Sequence, residues 1–188
     1  MASTNSRTLS LLVQIRWSSR WQLLAQSRLW FFLLIAIGTF SSVIYPHPPL
    51  VAFGAIAGGT LKPQRAILTA MTIWFTNQIY GFGLRGYPHT AESFIWAMAM
   101  GLGTLLVTLL ASVRPDFSRV NLKGHCLWML MSAIAGFVVF ESLILSFSWL
   151  LTGDHPLNWQ IMGRLFLKEF AWGVALVTGH LLLVRRSV

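Results

Sequence analysis

The chain is a series of long apolar stretches separated by short segments that contain charges, prolines or glycines. This pattern predicts six helices, over residues 29–45, 49–61, 66–84, 92–113, 126–151 and 165–184. A helix needs about 20 mostly apolar residues to cross a hydrocarbon core about 30 Å thick. The pattern therefore predicts an all-α, polytopic membrane bundle of about six transmembrane helices.

The break between the first two helices depends on prolines. Pro46, Pro48 and Pro49 interrupt an apolar run that is too long for one helix. Each proline removes a backbone donor and fixes φ, so the helix cannot continue through them. Because the second stretch is short, it can be either a full span or a re-entrant segment.

Composition excludes the main alternative classes of protein. Hydrophobic residues make up 55% of the 188 residues and charged residues only 10%, against roughly 25% charged residues in a soluble domain. Too few polar side chains remain to cover a water-soluble fold, so we exclude a soluble enzyme and a disordered tail. The single cysteine, Cys126, provides no disulfide framework and no thiolate cluster for a metal.

The distribution of basic residues along the chain indicates its membrane topology. The 14 lysines and arginines exceed the five acids, for a net charge of +9. With both termini in the cytoplasm, two basic residues fall in outer loops, Arg85 and Arg164, and eleven fall on the inner side: Arg7, Arg16, Arg20, Arg28, Lys62, Arg65, Arg114, Arg119, Lys123, Arg185 and Arg186. This positive-inside bias predicts cytoplasmic termini in a bacterial inner membrane, with the lipid bilayer and not nucleic acid as the partner of the charge.

The N-terminal segment, residues 1–28, is basic and contains no acid, and residues 29–188 form a single transmembrane domain in this interpretation. The segment has the composition of an organelle transit peptide. We favour instead a basic cytoplasmic flank with an interfacial helix; Leu9, Leu12, Val13, Trp17 and Trp21 can form an apolar stripe along this segment.

Glu141 lies near the middle of the fifth predicted helix, where an unpaired ionised side chain costs about 3 kcal/mol. Lys168, in the outer half of the sixth helix, is the best candidate partner. The pair can be a buried ion pair that locks two helices, or part of a ligand or proton site. Glu169 is adjacent to Lys168 but points about 100° away on an ideal helix, so we expect it to face a different neighbour.

The remaining intramembrane polar groups lie at a similar depth. Asn77 and Gln78 are adjacent in the third helix, and Trp96 lies within the fourth. Amides in a span can simply bond across helices. Their concentration from mid-bilayer outward predicts instead a polar cavity open to the outside. The predicted ligand-binding residues are Asn77, Gln78, Trp96, Glu141 and Lys168.

No catalytic, metal or cofactor site is predicted. Three histidines flank prolines in the outer turns (His47, His89 and His155), but their spacing is not a metal motif. For His125 and His180 ordinary packing is the simpler interpretation. The chain has no Walker motif, nucleophile elbow or His-Glu-x-x-His. We therefore expect a protein without enzymatic activity.

Residues 45–59, YPHPPLVAFGAIAGG, resemble a pattern in small bacterial membrane proteins. Those proteins carry Pro-His-Pro-Pro-Asn after the first helix and then an alanine-rich short helix that ends in Gly-Gly; Leu50 stands here in place of the asparagine. Their layout is similar to that of the substrate-binding S components of energy-coupling factor (ECF) transporters. This resemblance implies six helices, cytoplasmic termini, an outward ligand pocket, and separate transmembrane and ATPase partner subunits.

The leading functional hypothesis is therefore a membrane subunit that captures a small molecule, such as a vitamin or cofactor precursor, for uptake. The alternative is a non-enzymatic structural or assembly subunit of a larger membrane complex that carries a pigment or haem. In that case the glycine pair Gly54 and Gly58 and the histidines serve contacts or ligation.

Overall fold

The structure, a computed structural model, describes residue 17 and residues 19–152 and 158–186, and this part of the chain contains helices and no strands. The all-α prediction is thereby confirmed. The helices are α1 (Ser19–Ala25), α2 (Arg28–Ile44), α3 (Leu50–Thr60), α4 (Pro63–Ile79), a π-helical turn (Tyr80–Leu84), α5 (Ala91–Ser112), α6 (Asp116–Val120), α7 (Leu122–Thr152) and α8 (Trp159–Arg186).

Local sequence explains most helix boundaries. The Ser27 hydroxyl accepts a bond from the amide of Leu29 at the start of α2, and the Thr90 hydroxyl accepts one from Ser93 at the start of α5. Both are N-cap bonds that satisfy amides with no partner inside the helix. Pro63 occupies the first position of α4, where its missing N–H costs nothing.

Helix α3 is the centre of the bundle. All eleven of its residues are buried, and it packs against α4, α5, α7 and α8. Phe53 and Ile56 of α3 join Trp30 and Leu34 of α2 in the main hydrophobic core. At 1.5 Å per residue, α3 is about 16 Å long, roughly half of a hydrocarbon core.

Within the described part of the chain, three helices are long and apolar enough to cross a membrane: α5, α7 and α8. A fourth span results if α1 and α2, which are bent by 57° at their junction, count as one broken span. Exposed side chains along these helices include large apolar ones such as Phe40, Met98, Leu150 and Leu167. These features are those of a membrane protein, and they give fewer complete spans than the six predicted from the sequence.

Arginines cap the C-terminal ends of three helices. Arg65 donates to the carbonyl of Gln26 just after α1 (2.6 Å), Arg85 to that of Ser42 at the end of α2 (2.6 Å), and Arg114 to that of Gly58 in α3 (2.7 Å). Cations are favourable there because helix carbonyls at that end lack partners. These arginines therefore stabilise helix ends, in addition to any part they play in topology.

Arg114 occupies an unusual backbone position between α5 and α6. Its φ is +45°, in the left-handed region, and its guanidinium lies 5.6 Å from the centre of the Trp21 ring. Burial, followed by the charge of Arg119, lowers the pKa of Arg114 to about 10. The side chain stays cationic at neutral pH and connects α1 to the C-terminal end of α3.

Candidate functional site

A cavity of about 400 Å³ lies beside the N-terminal end of α3. Its walls come from four parts of the chain: the turn between α2 and α3, the first half of α5, the middle of α7 and the first half of α8. Most of the lining is apolar, including Met100, Phe140 and Leu165. Three charged side chains interrupt this apolar surface: Glu141, Lys168 and Glu169.

Glu169 caps the start of α3. Because Pro49 precedes the helix and carries no polar side chain, no N-cap side-chain bond forms there. Instead the Glu169 carboxylate, supplied by α8, accepts a bond of 2.8 Å from the amide of Ala52. A negative charge at this position accepts a bond from a free amide and is attracted by the positive end of the helix dipole.

Lys168 bonds to the segment of chain that leads into α3. Its ammonium donates a 2.8 Å bond to the backbone carbonyl of His47, in the turn that leads into α3. Glu169 therefore bonds to a different residue from Lys168, as expected, although both partners lie within residues 47–52. Two adjacent residues of α8 thus bond to residues 47–52. Lys168 binds a carbonyl of the turn, and Glu169 binds an amide in the first turn of α3.

Glu141 and Trp96 line the same cavity as Lys168. In the part of the chain that the structure describes, the Glu141 carboxylate forms no hydrogen bond and no ion pair. The direct Glu141–Lys168 pair expected from the sequence is thus not formed, because the lysine bonds to the turn. Three of the five predicted ligand-binding residues therefore come together in one place.

Asn77 and Gln78 lie elsewhere. Both are buried in α4 and neither lines the cavity. Only 1% of Asn77 is exposed, and neither polar atom of its amide has a hydrogen-bond partner among the described residues. Sequence alone could not show that α4 turns these amides toward another part of the bundle.

Substituting Asn77 with leucine is expected to raise the thermal midpoint of the protein. A buried amide without partners is costly, and an apolar side chain of similar volume removes that cost, by about 1 kcal/mol. The matched control is Thr60→Val, which leaves the buried indole N–H of Trp30 without its 2.9 Å acceptor and should lower the midpoint. A fall of the midpoint in Asn77→Leu would show that this amide has a bonding partner after all.

His47 borders the cavity from the α2–α3 turn. Partial burial lowers the pKa of its imidazole, and the neighbouring cations Lys168 and Arg85 lower it further. The imidazole is therefore neutral at neutral pH. It adds a hydrogen-bonding group to the rim of the cavity without adding a charge.

A second polar cluster lies near the C-terminal end of α3. His125 of α7 and His180 of α8 are both buried, with ring centroids 5.2 Å apart. Trp21 packs against His125, and Trp30 packs against His180. This pairing is not visible in the sequence, where ordinary packing was expected for each histidine, because two residues 55 positions apart form no local pattern.

No group of three or more metal-ligating side chains occurs within the described ranges. His89 packs against Phe82, with a centroid distance of 5.6 Å. His155, and the Leu9, Leu12 and Val13 part of the predicted apolar stripe, lie outside the described residues.

Comparison with known proteins gives no match to a family model, to a curated protein or to a solved structure.

Proposed function

We propose that this protein is a membrane substrate-binding subunit that captures a small molecule in the cavity beside α3. The observation that carries the proposal is the cavity itself: about 400 Å³, mostly apolar, with three charged side chains among its lining. Ligand sites commonly have volumes of about 300–1,000 Å³, apolar walls and few polar groups that orient the ligand.

The proposal includes a topology. The six helices α2, α3, α4, α5, α7 and α8 cross or enter a bacterial inner membrane, with both termini in the cytoplasm, as the distribution of basic residues favours. Because α3 is about 16 Å long, its N-terminal end lies inside the roughly 30 Å core when its C-terminal end is at the inner side. The cavity then opens toward the outer side, where substrate arrives.

Transport requires partners in this scheme. The chain has no Walker motif, so it does not hydrolyse ATP by itself. By analogy with ECF S components, a transmembrane subunit and ATPase subunits would drive release to the inside after the loaded protein tilts. The resemblance of residues 45–59 supports this part of the proposal, and that segment forms one border of the cavity.

A retention experiment tests the proposal. The protein is purified in lipid nanodiscs from cells grown in rich medium, and native mass spectrometry measures bound small molecules. We expect a stoichiometric ligand in the wild type and its loss in Ile144→Trp, which fills the cavity from α7. The control is Leu150→Trp, on the same helix at a position that is 72% exposed, which should retain the ligand.

Two outcomes would contradict the capture of a small molecule in this cavity. A wild type that carries no small molecule but purifies in a large complex with bound pigment or haem would favour the assembly subunit. Equal ligand occupancy in Ile144→Trp and Leu150→Trp would place binding outside this cavity.

Alanine substitutions of Glu141 and Lys168 separate binding from stability. Lys168→Ala loses a bond to the His47 carbonyl, so we expect its free energy of unfolding to fall by about 1 kcal/mol. Glu141→Ala loses no hydrogen bond and should unfold as the wild type does. Because no salt bridge joins the two side chains and only a longer-range attraction links them, the stability effects should come close to adding in the double variant. Recovery of stability in the double variant would contradict this and indicate a structural ion pair.

A further inference from the structure

We infer that the ligand of this cavity is a small organic cation, an ammonium group attached to an apolar body, with Glu141 as its counter-ion. The inference rests on the proposed capture function and names the class of substrate. It follows from three observations about the cavity: the bonds already made by its charged groups, the balance of their charges, and the chemistry of the walls.

The first observation is that two of the three charged groups are already bonded to the backbone. Lys168 donates to the carbonyl of His47, and Glu169 accepts from the amide of Ala52. Each of these bonds fixes the segment that begins α3. Glu141 alone forms no hydrogen bond or ion pair within the described part of the chain, although it lines the cavity. The group that remains to bind a ligand is therefore an acceptor.

The second observation concerns the balance of charge. Two carboxyl groups and one ammonium line the cavity. Arg164, one turn before Lys168 on α8, is exposed and does not line it. Arg85 is bonded to the carbonyls of Ser42 and Val43 at the end of α2. Among the described residues, Lys168 is therefore the one cation that lines the cavity, and its ammonium is already bonded to the His47 carbonyl.

The third observation is the nature of the remaining wall. Trp96, Met100, Phe140 and Ile144 contribute apolar and aromatic surface to the cavity that Glu141 lines. Such a surface binds the apolar body of a ligand, and aromatic faces also attract ammonium groups. A hydrophilic or multiply charged ligand would leave its polar groups without partners here, at a substantial cost in free energy.

The test uses probes that share one skeleton and differ in charge: 2-phenylethylamine, 2-phenylethanol and 3-phenylpropanoate. Isothermal titration calorimetry at pH 7 measures their affinity for the full chain in lipid nanodiscs. We expect the amine to bind at least tenfold more tightly than the alcohol, and the carboxylate to bind most weakly. In Glu141→Gln the advantage of the amine over the alcohol should disappear, while the affinity for the alcohol stays within twofold.

The results separate the inference about the charge of the ligand from the proposed capture function. Tightest binding of 3-phenylpropanoate, or an amine preference that survives Glu141→Gln, would overturn the inference and leave capture intact. If no probe binds to folded protein and Ile144→Trp also leaves its bound small molecules unchanged, both the inference and the proposed function are wrong. Binding of the amine that Ile144→Trp abolishes and Leu150→Trp preserves would support both.

Discussion

Gly58→Ala is expected to destabilise the protein by about 3 kcal/mol, because the added methyl group overlaps the backbone of a neighbouring helix. A Cβ at this position overlaps the backbone carbonyl oxygen of Thr108 and lies 2.8 Å from the Cβ of Ala111, both on α5. Neither atom is at the end of a flexible side chain, so the clash is relieved only if α3 and α5 separate. Because α3 is buried on all sides, that movement opens the core.

The matched control is Gly163→Ala on α8. No atom lies within 4 Å of the Cβ that would be added there. Alanine is a better helix former than glycine by about 1 kcal/mol, so this variant should be as stable as the wild type or more so. Unfolding is followed by tryptophan fluorescence during titration with a denaturing detergent. Equal midpoints for Gly58→Ala and Gly163→Ala would show that α3 and α5 are not packed as described.

The sequence predicted the helices well because their signal is local. Apolar length and the prolines at 46–49 located α2 and α3 to within a few residues, and the polar turns located α4 and α5. Apolar periodicity does not show which side chains bond to the last carbonyls of a helix. In this protein those side chains are arginines from other segments of the chain. For this reason the roles of Arg65, Arg85 and Arg114 at helix ends emerged only from the structure.

The candidate site was predictable in part, for the same physical reason. An acid within an apolar stretch is costly in lipid, so Glu141 was identifiable from sequence, and helix depth associated it with Lys168 and Trp96. Depth does not determine the direction in which a helix faces after packing, and this explains why Asn77 and Gln78 lie away from the cavity. The bonds of Lys168 and Glu169 to the α3 segment join residues more than 100 positions apart, which no local pattern reveals.

The two ends of α3 are stabilised by charges of opposite sign. Glu169 accepts from the amide of Ala52 in its first turn, and Arg114 donates to the carbonyl of Gly58 in its last turn. A short helix surrounded mostly by apolar side chains has few partners for its free amides and carbonyls. The two charged side chains supply these partners, and they fix α3 where its N-terminal end borders the cavity.

Glu169→Ala is expected to lower the free energy of unfolding by about 2 kcal/mol, because the amide of Ala52 loses a charged acceptor inside the bundle. Glu169→Gln keeps an oxygen that can accept the same bond but loses the charge that opposes the helix dipole. We therefore expect it to lose about 1 kcal/mol, roughly half of the effect. Glu92→Gln is the control, since Glu92 is exposed in the first turn of α5 and its substitution should change stability by less than about 0.5 kcal/mol.

Hydrogen exchange locates the effect of Glu169 on the chain. If the carboxylate caps α3, the amide of Ala52 should exchange faster in Glu169→Ala, while the amide of Ile56, bonded within the helix, changes only through the global loss of stability. Unchanged exchange at Ala52 in a destabilised Glu169→Ala would mean that Glu169 stabilises the protein without capping α3. Because the start of α3 borders the cavity, a cap that fails there should also weaken ligand retention, which Glu92→Gln should leave at the wild-type level.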